Sequence, residues 1–364
     1  MLYEHAFQNP EGTPRLLAEI ERLAERIGPV RLMEICGTHT MAIAKGGLRS
    51  LLPASVRLIS GPGCPVCVTS AGDIDGILRL SSRHGLLLAS YGDLLRVPGS
   101  SRGDTLLRRK ALGAKIFTVY SPVEAVELAV SNPDKEVVFL GVGFETTAPG
   151  TAACLMEARE RKVKNFSVLS LLKKTEPALR ALIAAPDFAV NGMICPGHVA
   201  VVTGAQAFTF LPREYGLPAV ISGFEPGDIL FSVYRLLQML EAGKPALENE
   251  YTRLVRTEGN HAAMEAVNRV FLPCEAVWRG IGYIPESGYA IREEFSFWDA
   301  SVRYDFLPEP WAEPSGCRCG DVIRGRISPR ECSLFGTSCT PQDPVGPCMV
   351  SGEGACAAYY RYQD

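Results

Sequence analysis

The stretch GPGCPVC, residues 61–67, places Cys64 and Cys67 with two residues between them behind a Gly-Pro-Gly turn. Such a pair suits half of a zinc site, a redox disulfide, or a thiol pair serving some other metal. Pro65 stiffens the pair as in dithiol oxidoreductases, whereas the glycine-rich lead-in resembles a turn that cradles a ligand. A further thiol opens the run Cys36-Gly37-Thr38-His39-Thr40 directly after an apolar stretch. Thiolate sulfur is a soft ligand suited to Fe(II), a helix starting at this point would lower the thiol pKa, and His39 and Thr38 bring hydrogen-bonding groups to the same turn. The plainer reading is a small buried cysteine beside a polar turn.

Six of the twelve cysteines crowd the C-terminus: Cys317, Cys319, Cys332, Cys339, Cys348 and Cys356. Tetrahedral zinc takes paired C-x-x-C knuckles, and this segment has a C-x-C followed by wide spacings. Four cysteines can approach a 4Fe-4S cluster from different loops, so the spacing favours a cluster over zinc or a disulfide framework and leaves two cysteines for a redox pair. The segment is rich in Gly and Pro with little periodicity, so a metal is needed to organise it. Cys195-Pro196-Gly197-His198 offers another Cys and His, whereas Cys154 and Cys274 lie in apolar contexts and read as core.

These residues need elements to position them. Thr13, Pro14 and the apolar positions Leu16, Leu17, Ile20, Leu23, Ala24 and Ile27 mark a first helix that Gly28 stops. Strand-length apolar runs then alternate with helical segments: 30–36, 56–60, 85–91, 115–121, 136–144, 166–172, 188–195 and 218–224. Runs without polar alternation are strands buried on both faces, as in parallel sheets. The fold class is therefore α/β, with two parallel-sheet domains facing a cleft and a third, mainly helical or irregular iron-sulfur domain. The division expected is 1–118, 119–230 and 231–364. A helix from about 228 ending at Gly243 and another over 261–271 open the third part.

The strand ends carry the unusual residues, where βα turns converge on a ligand. Besides the cysteine motifs they hold Asp93, Glu145 with Thr146, His198 and Glu225, all candidate cleft residues. A carboxylate at such a place is also a common helix N-cap. Arg102, Arg108, Arg109 and Lys110 read as a solvated helix face, and no P-loop occurs.

At 364 residues the chain is long for one core, and with 47% hydrophobic and 21% charged residues it is an ordinary globular protein. A net charge of -3 gives no field favouring nucleic acid. The N-terminus lacks a signal-peptide pattern and no apolar run approaches the ~20 residues of a membrane span, so a cytoplasmic protein without membrane partners is expected. In a reducing compartment twelve cysteines point to metal binding or redox chemistry.

Taken together, MEICGTHTMAIAKGGLRSLLP, GPGCPVCVT, YGDLLRVPGS, GVGFETTAPG, ICPGHVAVVTG, VISGFEPGDIL, WRGIGYIPESG and the tail from CRCGDVIRG to AAYYRY span nearly the whole chain in order. In these motifs the chain closely resembles the HypD family of NiFe-hydrogenase maturation proteins. One departure is LSLLKKTEPALRAL, where the family pattern has a histidine and a Pro-Pro pair. The resemblance implies a scaffold for assembling the Fe(CN)2CO moiety of the hydrogenase. A HypC-type chaperone would dock and share the iron, a HypE-type partner would supply cyanide, and the loaded iron would pass to the hydrogenase large subunit. It implies Cys36 as the iron thiolate with His39 beside it, and Cys64 and Cys67 as a thiol pair facing the same cleft. It also implies a 4Fe-4S cluster on Cys317, Cys332, Cys339 and Cys356, with Cys319 and Cys348 as an adjoining redox pair. The other function the residues allow is an iron-sulfur dependent thiol-disulfide reductase, which has no need of Cys36 and His39.

Overall fold

The computed structural model describes residues 12–308 and 315–362. Eleven strands are seen among them: β1 (Val30–Glu34), β2 (Val56–Ser60), β3 (Leu86–Ser90), β4 (Ile116–Thr118), β5 (Glu136–Gly143), β6 (Phe166–Leu172), β7 (Gly192–Pro196), β8 (Ala219–Ser222), β9 (Leu247–Asn249), β10 (Phe271–Trp278) and β11 (Gly282–Ile291). The first eight are the eight apolar runs read from the sequence. They form two parallel sheets, so the α/β expectation holds. One sheet has the order β2-β1-β7-β8-β9 and the other β4-β3-β5-β6.

The sheets do not follow the contiguous division at 118 and 230. The chain lays down β1 and β2, leaves to build the whole of the second sheet with β3 to β6, and returns to complete the first with β7 to β9. Burial on both faces makes a strand recognisable from its residues, but it does not identify its neighbour, because any apolar strand can pair with any other. The segment from 231 onward is also divided among its neighbours. Helix Pro226–Ala242 packs with helix Gly12–Ile27 over the first sheet, its start fixed by a Glu225/Asp228 capping box and its end by Gly243 at φ +61°. Strands β10 and β11 form an antiparallel hairpin, absent from the sequence reading, that packs on β6 and helix Thr175–Ile183.

Each sheet has one point where the strand order reverses, between β1 and β7 in the first and between β3 and β5 in the second. The carboxyl ends of strands at such points open the crevices in which α/β proteins bind ligands. Cys36 follows β1 and His198 follows β7; Asp93 follows β3 and Glu145 follows β5. The cysteine-rich tail lies against this side, and Cys64, Cys67, Cys319, Cys339, Cys348 and Cys356 share one buried cluster with Leu88, Val138 and Leu140 of the second sheet.

A fragment ending at residue 118 carries β1 to β4, two strands of each sheet. It is expected to show no cooperative unfolding by circular dichroism; a sharp two-state melt would mean that each half-sheet holds alone.

Candidate functional site

Cys36 is the N-cap of helix Gly37–Lys45, in extended backbone at φ -148°. Its amide N–H donates to one oxygen of Glu34 at 3.1 Å, and Thr40 Oγ1 donates to the other at 2.5 Å. Gly37 N–H donates to the Gly63 carbonyl at 3.0 Å. A Cβ on Gly63 would lie 2.3 Å from the Cys36 nitrogen, so only glycine lets the GPGC turn seat directly on the thiol's backbone. The helix-start expectation for this thiol is corrected here. The N–H groups of His39 and Thr38 do favour the thiolate, but burial outweighs them and pushes Cys36 up to about 12. The thiol is therefore protonated until something displaces its proton.

His39 is fully buried. Its Nε2 donates to the Gly223 carbonyl at 2.8 Å, which fixes the tautomer and leaves the Nδ1 lone pair buried without a hydrogen-bond partner. Phe224 stacks on both imidazoles, with centroids 4.6 Å from His39 and 3.9 Å from His198. The ends of β1, β7 and β8 thus meet around one aromatic ring. Burial pulls His39 down to about 4 and lowers His198 as well.

The other candidate cleft residues divide. Glu225 is exposed and caps its own helix, while Cys195 lies wholly inside the apolar cluster with Met33 and Val199 rather than in the cleft. Glu145 is buried and accepts from both Thr175 N–H and Thr175 Oγ1 at 2.7 Å, tying β5 to helix Thr175–Ile183. Thr146 beside it is exposed. Asp93 accepts from Ser351 Oγ at 2.9 Å.

That last bond belongs to a strap the sequence reading missed. Thr38 Oγ1 donates to Glu353 at 3.1 Å, a Cβ on Gly37 would meet the Glu353 side chain, and Arg96 donates to the Val350 carbonyl at 3.1 Å. Residues 350–353 therefore run from the Cys36 turn of the first sheet to the Asp93 turn of the second. Glu34 and Glu353 were both legible as anomalies: one is a carboxylate inside a buried strand, the other an acid between glycines.

Cys64 and Cys67 are joined in a disulfide. Both are buried, and Cys67 Sγ lies 3.9 Å from the carbonyl of Pro347, the residue before Cys348. All six tail cysteines line a single pocket with Val322, Leu334, Phe335 and Met349. Cys319 adjoins Cys317 and Cys348, and Cys348 in turn adjoins Cys356. Gly346 closes one wall, where a Cβ would lie 2.6 Å from Cys317 Sγ. Among the described residues no three Cys, His, Asp or Glu side chains converge on a single-ion site. Soft donors ringing an apolar space fit a multi-iron cluster better than one zinc ion.

Residues 12–363 match the HypD family, described as the hydrogenase formation hypA family. The chain belongs to this family. It is 44% identical over 368 residues to the hydrogenase maturation factor HypD of Azotobacter vinelandii, covering 100% of this chain and 97% of that one. It is 40% identical over 369 residues to the hydrogenase maturation factor HypD of Escherichia coli K12, covering 100% and 98%. Lys173, directly after β6, is buried, with Nζ donating to the Val277 carbonyl at 2.8 Å. Among the described residues of this HypD-family chain no helix is long and apolar enough to cross a membrane.

The buried pair His39 and Glu34 makes the metal-free chain respond to pH in two opposed ways. His39 titrates near 4 when folded against about 6.5 when unfolded, so stability is lost as pH falls through that window. Glu34, pushed up to about 7 by burial, takes up its proton first in the folded state, so stability is gained as pH falls from about 7 toward the unfolded value. In His39→Gln only the second slope remains. Urea unfolding is expected to show the variant gaining roughly 3 kcal/mol on the unsubstituted chain between about pH 6.5 and 4. Parallel pH profiles would mean that His39 titrates at its ordinary value.

Proposed function

We propose that this chain is the scaffold on which the Fe(CN)2CO moiety of NiFe hydrogenases is assembled, with the iron as cargo held by the Cys36 thiolate. The observation that carries the reading is the seating of Cys36 at the order-reversal point of the first sheet, under the GPGC turn and beneath the Glu353 strap. Fe(II) would displace the thiol proton, and the helix N–H groups that oppose burial would then stabilise the sulfur's charge. Glu34 and Thr40 hold the turn, and the stacked rings of His39, Phe224 and His198 line the crevice, from buried His39 to exposed His198. A HypC-type chaperone would share the iron, a HypE-type partner would deliver cyanide, and the hydrogenase large subunit would receive the product, all in the cytoplasm.

A 4Fe-4S cluster held by Cys317, Cys332, Cys339 and Cys356 would supply reducing equivalents when bound. Cys319 and Cys348, neighbours in the same pocket, form the redox pair. One thiolate of this pair attacks the Cys67 sulfur, and the Cys64–Cys67 bond breaks with Cys64 leaving as thiolate. The second thiolate then displaces Cys67 and closes a Cys319–Cys348 disulfide. Two electrons pass to Cys64 and Cys67, which take up the two protons the first pair gives up.

The test is anaerobic purification with a HypC-type partner followed by infrared spectroscopy in the cyanide and carbonyl stretching region. Bands are expected for the unsubstituted chain and their loss for Cys36→Ser, with sulfide content unchanged and iron lower by the cargo ion alone. Absence of bands together with turnover of a disulfide substrate would favour the free-standing disulfide reductase, the reading that the contact between Cys67 and Pro347 alone would support. Cys64→Ala and Cys67→Ala are each expected to leave folding and iron-sulfur content intact while abolishing assembly; unfolding would show the pair to be structural. Cys319→Ser or Cys348→Ser with full cluster content and full assembly would end the exchange scheme.

A further inference from the structure

Cys36 is 9% exposed, too little for an iron ion with its ligands to reach the sulfur unless something around it moves. Three walls enclose it, and they differ in what holds them. The GPGC turn is seated backbone on backbone: a Cβ on Gly63 would lie 2.5 Å from the Cys36 Cα, and the Gly63 carbonyl accepts from Gly37 N–H at 3.0 Å. The second wall is His39, fully buried, hydrogen-bonded to the Gly223 carbonyl and stacked on Phe224. The third is the strap, which reaches Gly37 and Thr38 from the tail.

The strap's two ends are fixed. Val350 is buried in the apolar cluster with Leu94 and Leu140, and a Cβ on Gly354 would lie 2.2 Å from the Cys348 carbonyl oxygen. Between these ends, Ser351 Oγ donates to Asp93 at 2.9 Å and Thr38 Oγ1 donates to Glu353 at 3.1 Å, one bond to each sheet's turn. Two further bonds, Glu353 N–H to Ser351 Oγ at 3.2 Å and Gly354 N–H to the Ser351 carbonyl at 3.0 Å, lie within the strap and tie it to neither sheet. Asp93 is exposed, so water competes for its bond. A Cβ on Gly352 would meet nothing within 4 Å, and Gly352 is not among the glycines of positive φ. Neither packing nor a left-handed turn calls for glycine there, so what the residue adds is backbone freedom.

We propose that residues 351–353 are a lid over Cys36, bending at Gly352, that lifts to admit the iron and is drawn down again onto Thr38 and Asp93. The inference rests on the reading of Cys36 as the iron thiolate. Lifting breaks one hydrogen bond to each sheet and the packing of Glu353 on Gly37, while the GPGC turn, the stacked rings and the strap's ends stay in place. Of the three walls it is the one that opens without disturbing a backbone contact or a buried ring.

The test is the rate at which iodoacetamide alkylates Cys36 in the full chain, purified anaerobically without partners and read residue by residue by peptide mass mapping. Cys154 and Cys195, in apolar clusters of the second and first sheets, report global unfolding in the same sample. Ser351→Ala and Asp93→Ala break the same bond from its two ends. Each is expected to speed alkylation of Cys36 about tenfold while Cys154 and Cys195 keep their rates. Gly352→Ala, which fits the closed strap without a clash, is expected to slow it about threefold, because alanine has fewer open conformations to reach. All three leave the N–H groups of Thr38 and His39 beside the sulfur, so the rate reads access. Alkylation of Cys36 in step with Cys195 would mean that only unfolding uncovers the thiol, and unaltered rates in Ser351→Ala and Asp93→Ala would mean that the strap does not cover it; either overturns the lid. If Ser351→Ala does not fold, Asp93→Ala, outside the tail, decides, and an unslowed Gly352→Ala overturns the hinge. Unaltered rates in a chain that gives the infrared bands would overturn the lid alone, whereas absence of the bands would overturn the iron reading and leave the rates to decide what covers Cys36.

Discussion

Only hydrogen fits on the α-carbon of Gly63, because the backbone of Cys36 occupies the space where a side chain would begin. The contact forces the C-x-x-C loop and the Cys36 turn into one unit, although they leave neighbouring strands β1 and β2 separately. Everything else about the site is arranged around that unit. The chain leaves the first sheet from the C-x-x-C loop to build the second, so the loop also opens one of the covalent connections between the two sheets. Cys64 and Cys67 accordingly pack with the core of the second sheet, while Cys36 stays at the carboxyl end of β1 in the first.

The chemistry of the site is dominated by desolvation rather than by local dipoles. A helix start lowers a thiol pKa when the thiol is in partial contact with water. Here Cys36, His39 and Glu34 are all buried, and each is driven toward its neutral form. Three buried groups make a low-dielectric pocket that, on the proposed reading, would accept a metal cation by losing a proton. Such a site would favour the ion, because the charge penalty that keeps the thiol protonated falls once a cation balances the sulfur.

Much of this could be read from residues alone. The eight apolar runs became eight parallel strands, and the motifs at their ends did converge, because strand-end turns of a parallel sheet lie on one side by construction. What could not be read was partnership. Nothing in the residues of β7 says that it lies beside β1 rather than β6, since the choice is made by crossover connections and packing that no single segment records. The same limit hid the roles of Glu34 and Glu353. Each acts by touching a part of the chain distant in sequence or by being buried where its type is rarely buried. Cys195 and Glu225 illustrate the converse, since both have the right chemistry at a strand end, yet one points into the core and the other only caps a helix.

The tail links these levels. Ordering a backbone costs about 1–2 kcal/mol per residue, and the tail offsets it with a modest apolar set, chiefly Val322, Ile323, Val345, Met349 and Val350. The strap's hydrogen bonds add roughly 1 kcal/mol each at best. Thiolate–metal coordination is larger than either, on the order of 10 kcal/mol or more in small metal-organised domains. The segment that supplies six thiols to the pocket also supplies Glu353 to Thr38 and Ser351 to Asp93. On the proposed reading, a cluster held by four of these thiols would therefore contribute more to the order of the tail, and with it the seating of the strap over Cys36, than the tail's own packing does.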